Sequence, residues 1–189
     1  MMTYSALLDA NVLYPAFLRD VLMWLSHESV YNARFTDDIH DEWTRNVLLN
    51  NTGVTPAQVA RTRRLMNSFD ADALVTGYSH LIPTLHLPDP DDRHVLAAAI
   101  YAGVSTIVTF NLRDFPDVVL SDYAITAMPP DDFLCLLFAQ KRDAVLDRLR
   151  RHRESLSRPA RTPDEYLLAL QKSRLPQFAA RVEPFRLSL

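Results

Sequence analysis

Five side chains of this 189-residue chain combine a reactive type with a telling position: Asp9, Glu42, Asp92, Asn111 and Asp114. Asp9 closes the short apolar run Tyr4-Ser5-Ala6-Leu7-Leu8. Asp92, with Asp89 and Asp91, stands where a helix should begin, and Asn111 and Asp114 follow the β-branched stretch Val104–Thr109. Glu42 falls in mid-helix, beside Trp43 and two residues after His40. Ligands of open α/β sheets bind beyond the carboxyl ends of the strands. Asp9 and the Asn111/Asp114 pair therefore share one rim if their strands run parallel. Two carboxylates held 4 Å apart repel by about 4 kcal/mol at an effective dielectric near 20, and a divalent cation removes that cost. All-oxygen ligand sets suit Mg²⁺ and Mn²⁺, which can polarise a phosphate, activate a water and stabilise a leaving oxygen.

Taken singly, most of these acids have a plainer reading. Asp89 can cap its helix, Asp91 can be a solvated first-turn acid, and Asp92 alone reads the same way. Glu42 alone is an ordinary surface acid of a helix. Asp9 is different, because an acid that ends a buried strand needs a partner.

The elements that must position these groups are legible in outline. Tyr4–Leu8 reads as a buried strand. Asn11 to about His27 has apolar residues at helical spacing, with Pro15 marking a turn or a first turn. Residues 33–36 suggest a short strand, and Thr36-Asp37-Asp38 starts a helix to about Asn50, with Ile39, Trp43, Val47 and Leu48 on one face. Thr55 and Pro56 open a further helix to about Phe69. Ala73-Leu74-Val75 and the stretch around Ile82 are candidate strands. Asp89-Pro90-Asp91-Asp92 is a strong helix start, Gly103 sits at the far end as a C-cap, and residues 104–109 form a buried strand. Pro129-Pro130 marks a boundary, followed by a long helix from Asp131 to Glu154 and another from Pro163 to about Ser173. Helix, glycine, strand and polar loop in that order are α/β grammar with a parallel sheet. No internal repeat or low-complexity segment interrupts it.

Bulk composition bounds the class. Apolar residues make up 48% and charged residues 23%, enough for a real core, and the net charge is −3. Residues 1–130 carry 8 Lys and Arg against 15 Asp and Glu, while residues 131–189 carry 12 against 8. An acidic body thus precedes a basic tail. Cys135 is the only cysteine and lies in an apolar run, so it reads as a buried small hydrophobe, and an intrachain disulfide is excluded. No signal-like start and no bilayer-length apolar run is present, and the expectation is a soluble cytoplasmic protein without a membrane contact.

The order of the motifs makes them specific. Leu7-Leu8-Asp9-Ala10-Asn11-Val12-Leu13 resembles the first motif of PIN domains, and Asp38-Ile39-His40-Asp41-Glu42-Trp43 resembles the second. Pro88 to Ala99, an acidic helix start before an Ala-rich helix, resembles the third, and Ile107 to Phe115 the fourth. The resemblance runs from Tyr4 to Leu120 and is similar in kind to VapC-type toxin endoribonucleases. It implies a PIN-like three-layer α/β/α fold with a central parallel sheet over residues 1–128, followed by a helical extension over 129–189 packed on or near it. It also implies hydrolysis of RNA phosphodiesters by a metal-activated water, with Asp9, Glu42, Asp92 and Asp114 as catalytic acids. Asp9, Asp92, Asn111 and Asp114 would hold Mg²⁺ or Mn²⁺, and Asn11 and Thr109 would support them by hydrogen bonding. Many family members have Asp where this chain has Asn111; Asp114 then supplies the missing charge, and an amide oxygen also ligates hard cations. RNA and a small antitoxin protein are the implied partners, with a homodimer left open. The competing reading is a catalytically weak PIN domain that binds RNA or protein.

An acidic pocket needs cations around it to accept RNA. Arg45, Arg93 and Arg113 lie next to the acidic motifs, Arg61, Arg63 and Arg64 cluster on one helix, and Arg150 and Arg151 belong to the basic run of the tail. Such groups contact phosphates without reading sequence, although the tail run is equally an ordinary solvated helix face. His94 reads as a helix-surface residue and His40 as a candidate support for Glu42. Other strand-then-Asp folds fail on residue identity. A haloacid-dehalogenase-type phosphatase needs Asp where Asn11 stands, a phospho-receiver needs a late sheet Lys, and a dinucleotide site needs more than Gly53, Gly77 and Gly103.

Overall fold

The computed structural model describes residues 4–27, 30–157 and 159–189. Strand β1 (Tyr4–Leu8) leads through the single turn α1 (Ala10–Leu13) and helix α2 (Ala16–Leu25) to β2 (Tyr31–Arg34). Helices α3 (Asp37–Asn50) and α4 (Pro56–Asn67) follow, then a 3₁₀ segment at Tyr78–Thr84 and another at Pro90–Asp92 that opens α5 (Arg93–Tyr101). Strand β3 (Thr106–Val108), the short α6 (Asp117–Leu120) and β4 (Thr126–Met128) complete the body, and α7 (Pro130–Ser155), α8 (Pro163–Lys172) and α9 (Pro176–Val182) form the C-terminal part.

All four strands are parallel, in the order β2-β1-β3-β4. The chain steps from β1 to β2 on one side and then returns to the other side of β1 to lay down β3. The order therefore reverses between β1 and β3, and the loops leaving those two strands diverge. That crevice is where a doubly wound sheet takes its ligand, and Asp9 and Thr109–Asn111 are the residues that leave the two strands. The ladder extends one residue further at both places: the Asp9 N–H donates to the Val108 carbonyl at 3.1 Å and the Thr109 N–H to the Met128 carbonyl at 3.1 Å. Helix α5 packs on β1 and β3, and α2 packs on β2 and α7, giving the three-layer α/β/α arrangement expected. Phe133 of α7 meets Tyr31 of β2 edge-on at 5.0 Å between ring centres, so the first turns of α7 are part of the core.

The local signals act where they were read. The Thr36 hydroxyl accepts from the Ile39 N–H and Thr55 forms a reciprocal capping box with Gln58; Thr162, just before the helix start read at Pro163, adds a second box with Glu165. Gly103 takes a φ of 62° at the end of α5. Several elements differ from expectation. The Asn11–His27 helix is two helices, because Pro15 holds an extended φ/ψ between them. Residues 73–75 form only an isolated bridge, Phe35 to Leu74, and the stretch around Ile82 is 3₁₀ rather than strand. Gly77, at φ 85°, lets that segment lie against α5, since a Cβ there would stand 2.9 Å from the Tyr101 hydroxyl. Leu48 is 37% exposed and leaves the buried face of α3 to Ile39, Trp43 and Val47. Helix α7 is broken at Lys141, whose ammonium donates to the Val30 carbonyl at 2.9 Å.

Two elements had no local signal. Strand β4 is a three-residue edge strand recruited by β3. Helix α9 is capped from far along the chain: the buried Asp131 carboxylate accepts the Gln177 N–H at 3.0 Å and the Phe178 N–H at 2.8 Å. Asp131→Ala leaves both donors without a partner and is expected to cost about 2–3 kcal/mol. Urea unfolding monitored by circular dichroism measures it, and an unchanged midpoint would show that the cap does not hold the C-terminal helices.

The C-terminal part is tied to the body by aromatic packing as well. His152 is buried, stacks on Trp24 of α2, and pairs through Nδ1 with the Tyr166 hydroxyl at 2.8 Å. No helix among the described residues is long and apolar enough to cross a membrane, and Cys135 is buried and free.

Candidate functional site

Asp9 is fixed by its own turn. Its carboxylate accepts the Ala10 N–H at 2.6 Å through one oxygen, and the Asn11 amide and the Thr109 hydroxyl, each at 2.6 Å, through the other. It caps α1 and lies 3% exposed. Asn11 works in two directions, donating to the Thr109 hydroxyl oxygen at 2.9 Å and accepting the Phe110 N–H at 3.0 Å. Thr109 in turn accepts the Asn111 N–H at 2.9 Å. The ends of β1 and β3 are thus stitched together around Asp9 by the two residues expected to support it.

The other acids arrive from separate elements. Asp92 ends the 3₁₀ turn before α5, and Asp89 starts that turn, accepting the Asp91 N–H at 2.9 Å. Asp114 comes from the loop after β3, where the Asn111 amide donates to its carboxylate. Carboxylate oxygens of Asp89, Asp92 and Asp114 lie within 4.8 Å of one another. One oxygen of Asp92, Oδ2, is buried without a hydrogen-bond partner among the described residues. Burial, reinforced by Asp9, Asp89, Asp114 and Glu42, pushes the Asp92 carboxyl up to about 7. Glu42 is also raised, by burial first and then by Asp9, and burial raises Asp9 against the pull of its three donors.

Glu42, Asp89, Asp92 and Asn111 line an open cleft of about 660 Å³ together with Asp38, Asp41, Arg45, Asp91 and His94, while Asp9 and Asp114 stand behind that lining. Six carboxylates against one arginine make a strongly negative cavity that attracts cations. The Asp89/Asp92/Asp114 group has the all-oxygen donor chemistry that suits a hard divalent cation, and the Asp92 Oδ2 atom is free to act as one of its donors.

A family model for the PIN domain matches residues 5–113, more than half of the chain. The chain belongs to the PIN domain family. A second family model, the VapC50 C-terminal domain, matches residues 130–184 of this PIN-domain protein. A relative from Mycobacterium tuberculosis, described as "Putative ribonuclease VapC50", is 38% identical over 109 residues. That alignment covers 58% of this chain and 63% of the relative, so the chain spans less than two thirds of the relative's length. No solved structure matches.

The PIN-domain protein brings Asp9, Glu42, Asp92, Asn111 and Asp114 to one end of its sheet. Of the expected RNA contacts, Arg45 lines the cleft. Arg113 is exposed on the loop that carries Asn111. Arg93 donates to the Pro90 carbonyl at 2.8 Å and so steadies the turn beneath Asp92. Arg150 and Arg151 both pair with Asp147 on their own helix and do not line the cleft. Arg63 is engaged by Asp37 and Asp41.

Both histidine readings are corrected. His94 is not a surface residue: it lines the cleft, with Nε2 4.0 Å from Glu42 and Nδ1 buried without a partner among the described residues. Burial lowers its pKa, so it is neutral at neutral pH. His40 turns the other way, accepting from the Trp43 indole at 2.9 Å and pairing with Asn67 at 2.8 Å. It builds the α3–α4 core and does not touch Glu42. Asp89 is more than a cap, since it belongs to the carboxylate group as well. It caps the short turn that ends in Asp92, and that tight turn keeps the two carboxylates close together.

Proposed function

We propose that this protein is a divalent-metal-dependent endoribonuclease and the toxin of a toxin–antitoxin pair, with Asp9, Glu42, Asp92 and Asp114 as the acidic site. Residues 1–128 form its nuclease body and 129–189 its helical extension. The observation that carries the reading is the buried Asp92 oxygen, unpartnered among the described residues, inside a group of three carboxylates. Such an arrangement is costly for a protein that never binds a cation there. The name of the M. tuberculosis relative points the same way.

Asp92 and Asp114, with Asp89, would hold Mg²⁺ or Mn²⁺, and the Asn111 amide keeps the Asp114 carboxylate turned toward the group. When bound, the ion supplies polarisation of the scissile phosphate and a lowered pKa for water at the site. The chain's own contribution is positional. Asp9 is immobilised by three donors, so its charge is held in one orientation beside Glu42 and Asp92 without a rotamer search. Glu42, half-buried and raised in pKa, is suited to accept a proton from an attacking water. Arg45 offsets the negative field at the entrance so that a phosphodiester can approach.

The test uses the purified full chain and a labelled single-stranded RNA. Cleavage in Mg²⁺ or Mn²⁺, abolished by EDTA and restored by excess metal, is the expected result. In a second arm, induced expression should slow a bacterial host and co-expression of the gene beside it should relieve the arrest. RNA binding without cleavage in either metal would replace the nuclease with a PIN domain that only binds, and unimpaired growth would remove the toxin.

A further inference from the structure

Arg174 occupies the turn between α8 and α9, yet its side chain reaches the nuclease body. Its guanidinium carbon lies 3.8 Å from the centre of the Phe110 ring. Phe110 directly precedes Asn111 of the cleft wall and donates its backbone N–H to Asn11. The placement is enforced by the fold. Pairing of β4 with β3 sets the start of α7 beside Thr109, Asp131 of that first turn caps α9, and the buried Leu175 anchors the turn that presents Arg174.

Two features argue against simple adhesion. Arg174 has a φ of 64°, a conformation that costs a non-glycine residue about 1–2 kcal/mol and that glycine takes freely at this position of a helix end. An exposed cation–π contact returns about 0.5–1 kcal/mol. Holding the extension to the body therefore gives Arg174 no net advantage over glycine. Arg174 is exposed, and no carboxylate among the described residues pairs with it. A guanidinium held over a ring face with no carboxylate partner has N–H groups left to donate to phosphate oxygens.

We propose that Arg174 contacts the phosphate backbone of the bound RNA at the rim of the cleft, beyond the scissile bond, so that the C-terminal extension is part of the substrate-binding surface. The inference rests on the RNA-cleaving reading given above. Arg174 is a positioning residue: it grips a flanking nucleotide and touches neither the scissile phosphate nor the carboxylates. Arg113, three residues beyond Phe110, is also exposed.

Arg174→Gly is the informative variant, because glycine relaxes the backbone there and the fold is retained. The substrates are a fluorescein-labelled single-stranded RNA of about 12 nucleotides, long enough to run past the cleft, and a dinucleotide that is not. Arg174→Gly should raise KM for the long RNA about tenfold with kcat nearly unchanged, and should reduce the salt slope of RNA binding by about 0.7, the share of one phosphate contact. Dinucleotide hydrolysis should be unaffected, and Arg174→Lys should recover part of the lost affinity. An unchanged KM and salt slope would overturn the proposal, as would an equal loss on both substrates, which would mark a structural effect on the site. If the wild-type chain binds the RNA but cuts neither substrate, the nuclease reading fails, and the salt-dependent binding of wild type against Arg174→Gly still decides the contact.

Discussion

Asp9→Ala and Asp92→Asn should each reduce metal-dependent RNA cleavage by more than about 10²-fold, yet move the stability of the metal-free protein in opposite directions. Asp9 accepts from Ala10, Asn11 and Thr109 in a site that is almost fully buried. Alanine there strands those donors and uncaps α1, a loss of about 1–3 kcal/mol. Asp92 is the reverse case. Its buried oxygen has no partner among the described residues and its charge faces Asp9, Asp89, Asp114 and Glu42. Removing that charge at constant shape relieves repulsion, so Asp92→Asn should melt higher than wild type in EDTA. The two measurements are thermal melts in EDTA and initial rates in Mn²⁺. Cleavage that persists in both variants would remove the proposed site, and a lower melting point for Asp92→Asn would show that its carboxylate has a stabilising partner.

The second large effect is on pH and metal. With the Asp92 carboxyl raised from 3.8 to about 7, the folded protein holds a proton that the unfolded chain has released between those values. Unfolding therefore sheds a proton in that window, and Asp92 costs stability increasingly as pH climbs through it, with the full cost above pH 7. Solvent screening at a half-open cleft limits this to roughly 1–2 kcal/mol. His152 works oppositely: burial lowers it to about 4, so its neutral form loses stability as pH falls from about 6.5 toward 4. The difference between wild type and Asp92→Asn isolates the carboxylate, and in EDTA it should widen from pH 5 to pH 8. Mn²⁺ should close that difference, raising the wild-type melting point far more at pH 8 than at pH 5.5, because at the lower pH the ion must displace a proton. A pH-independent difference in EDTA would show that Asp92 does not titrate in this window, and an equal Mn²⁺ gain in Asp92→Asn would mean that the cation binds elsewhere.

Sequence alone determined the features whose energies are local. An acid after an apolar run, threonine caps three residues before Ile39, Gln58 and Glu165, proline at first helical positions and Gly103 after α5 all act within one turn of chain. Parallel strands put successive carboxyl ends on the same rim, which was enough to bring Asp9 together with Asn111 and Asp114, whereas Glu42 and Asp92 were joined to them by the resemblance of the ordered motifs to PIN domains. Only the tertiary structure decided the rest. Half-buried helix positions such as His40 and His94 can face core or cleft, and the packing of α3 on α4 and the rotation of α5 choose between them. Strand β4 has too few residues to declare itself and exists because β3 offers an unpaired edge. Helix α9 takes its cap from Asp131, 46 residues earlier, and Arg174 meets Phe110 across an even longer stretch of chain. The acidic site is thus written in consecutive motifs, whereas the basic rim is created by contacts between segments remote in the chain, where no local pattern records them.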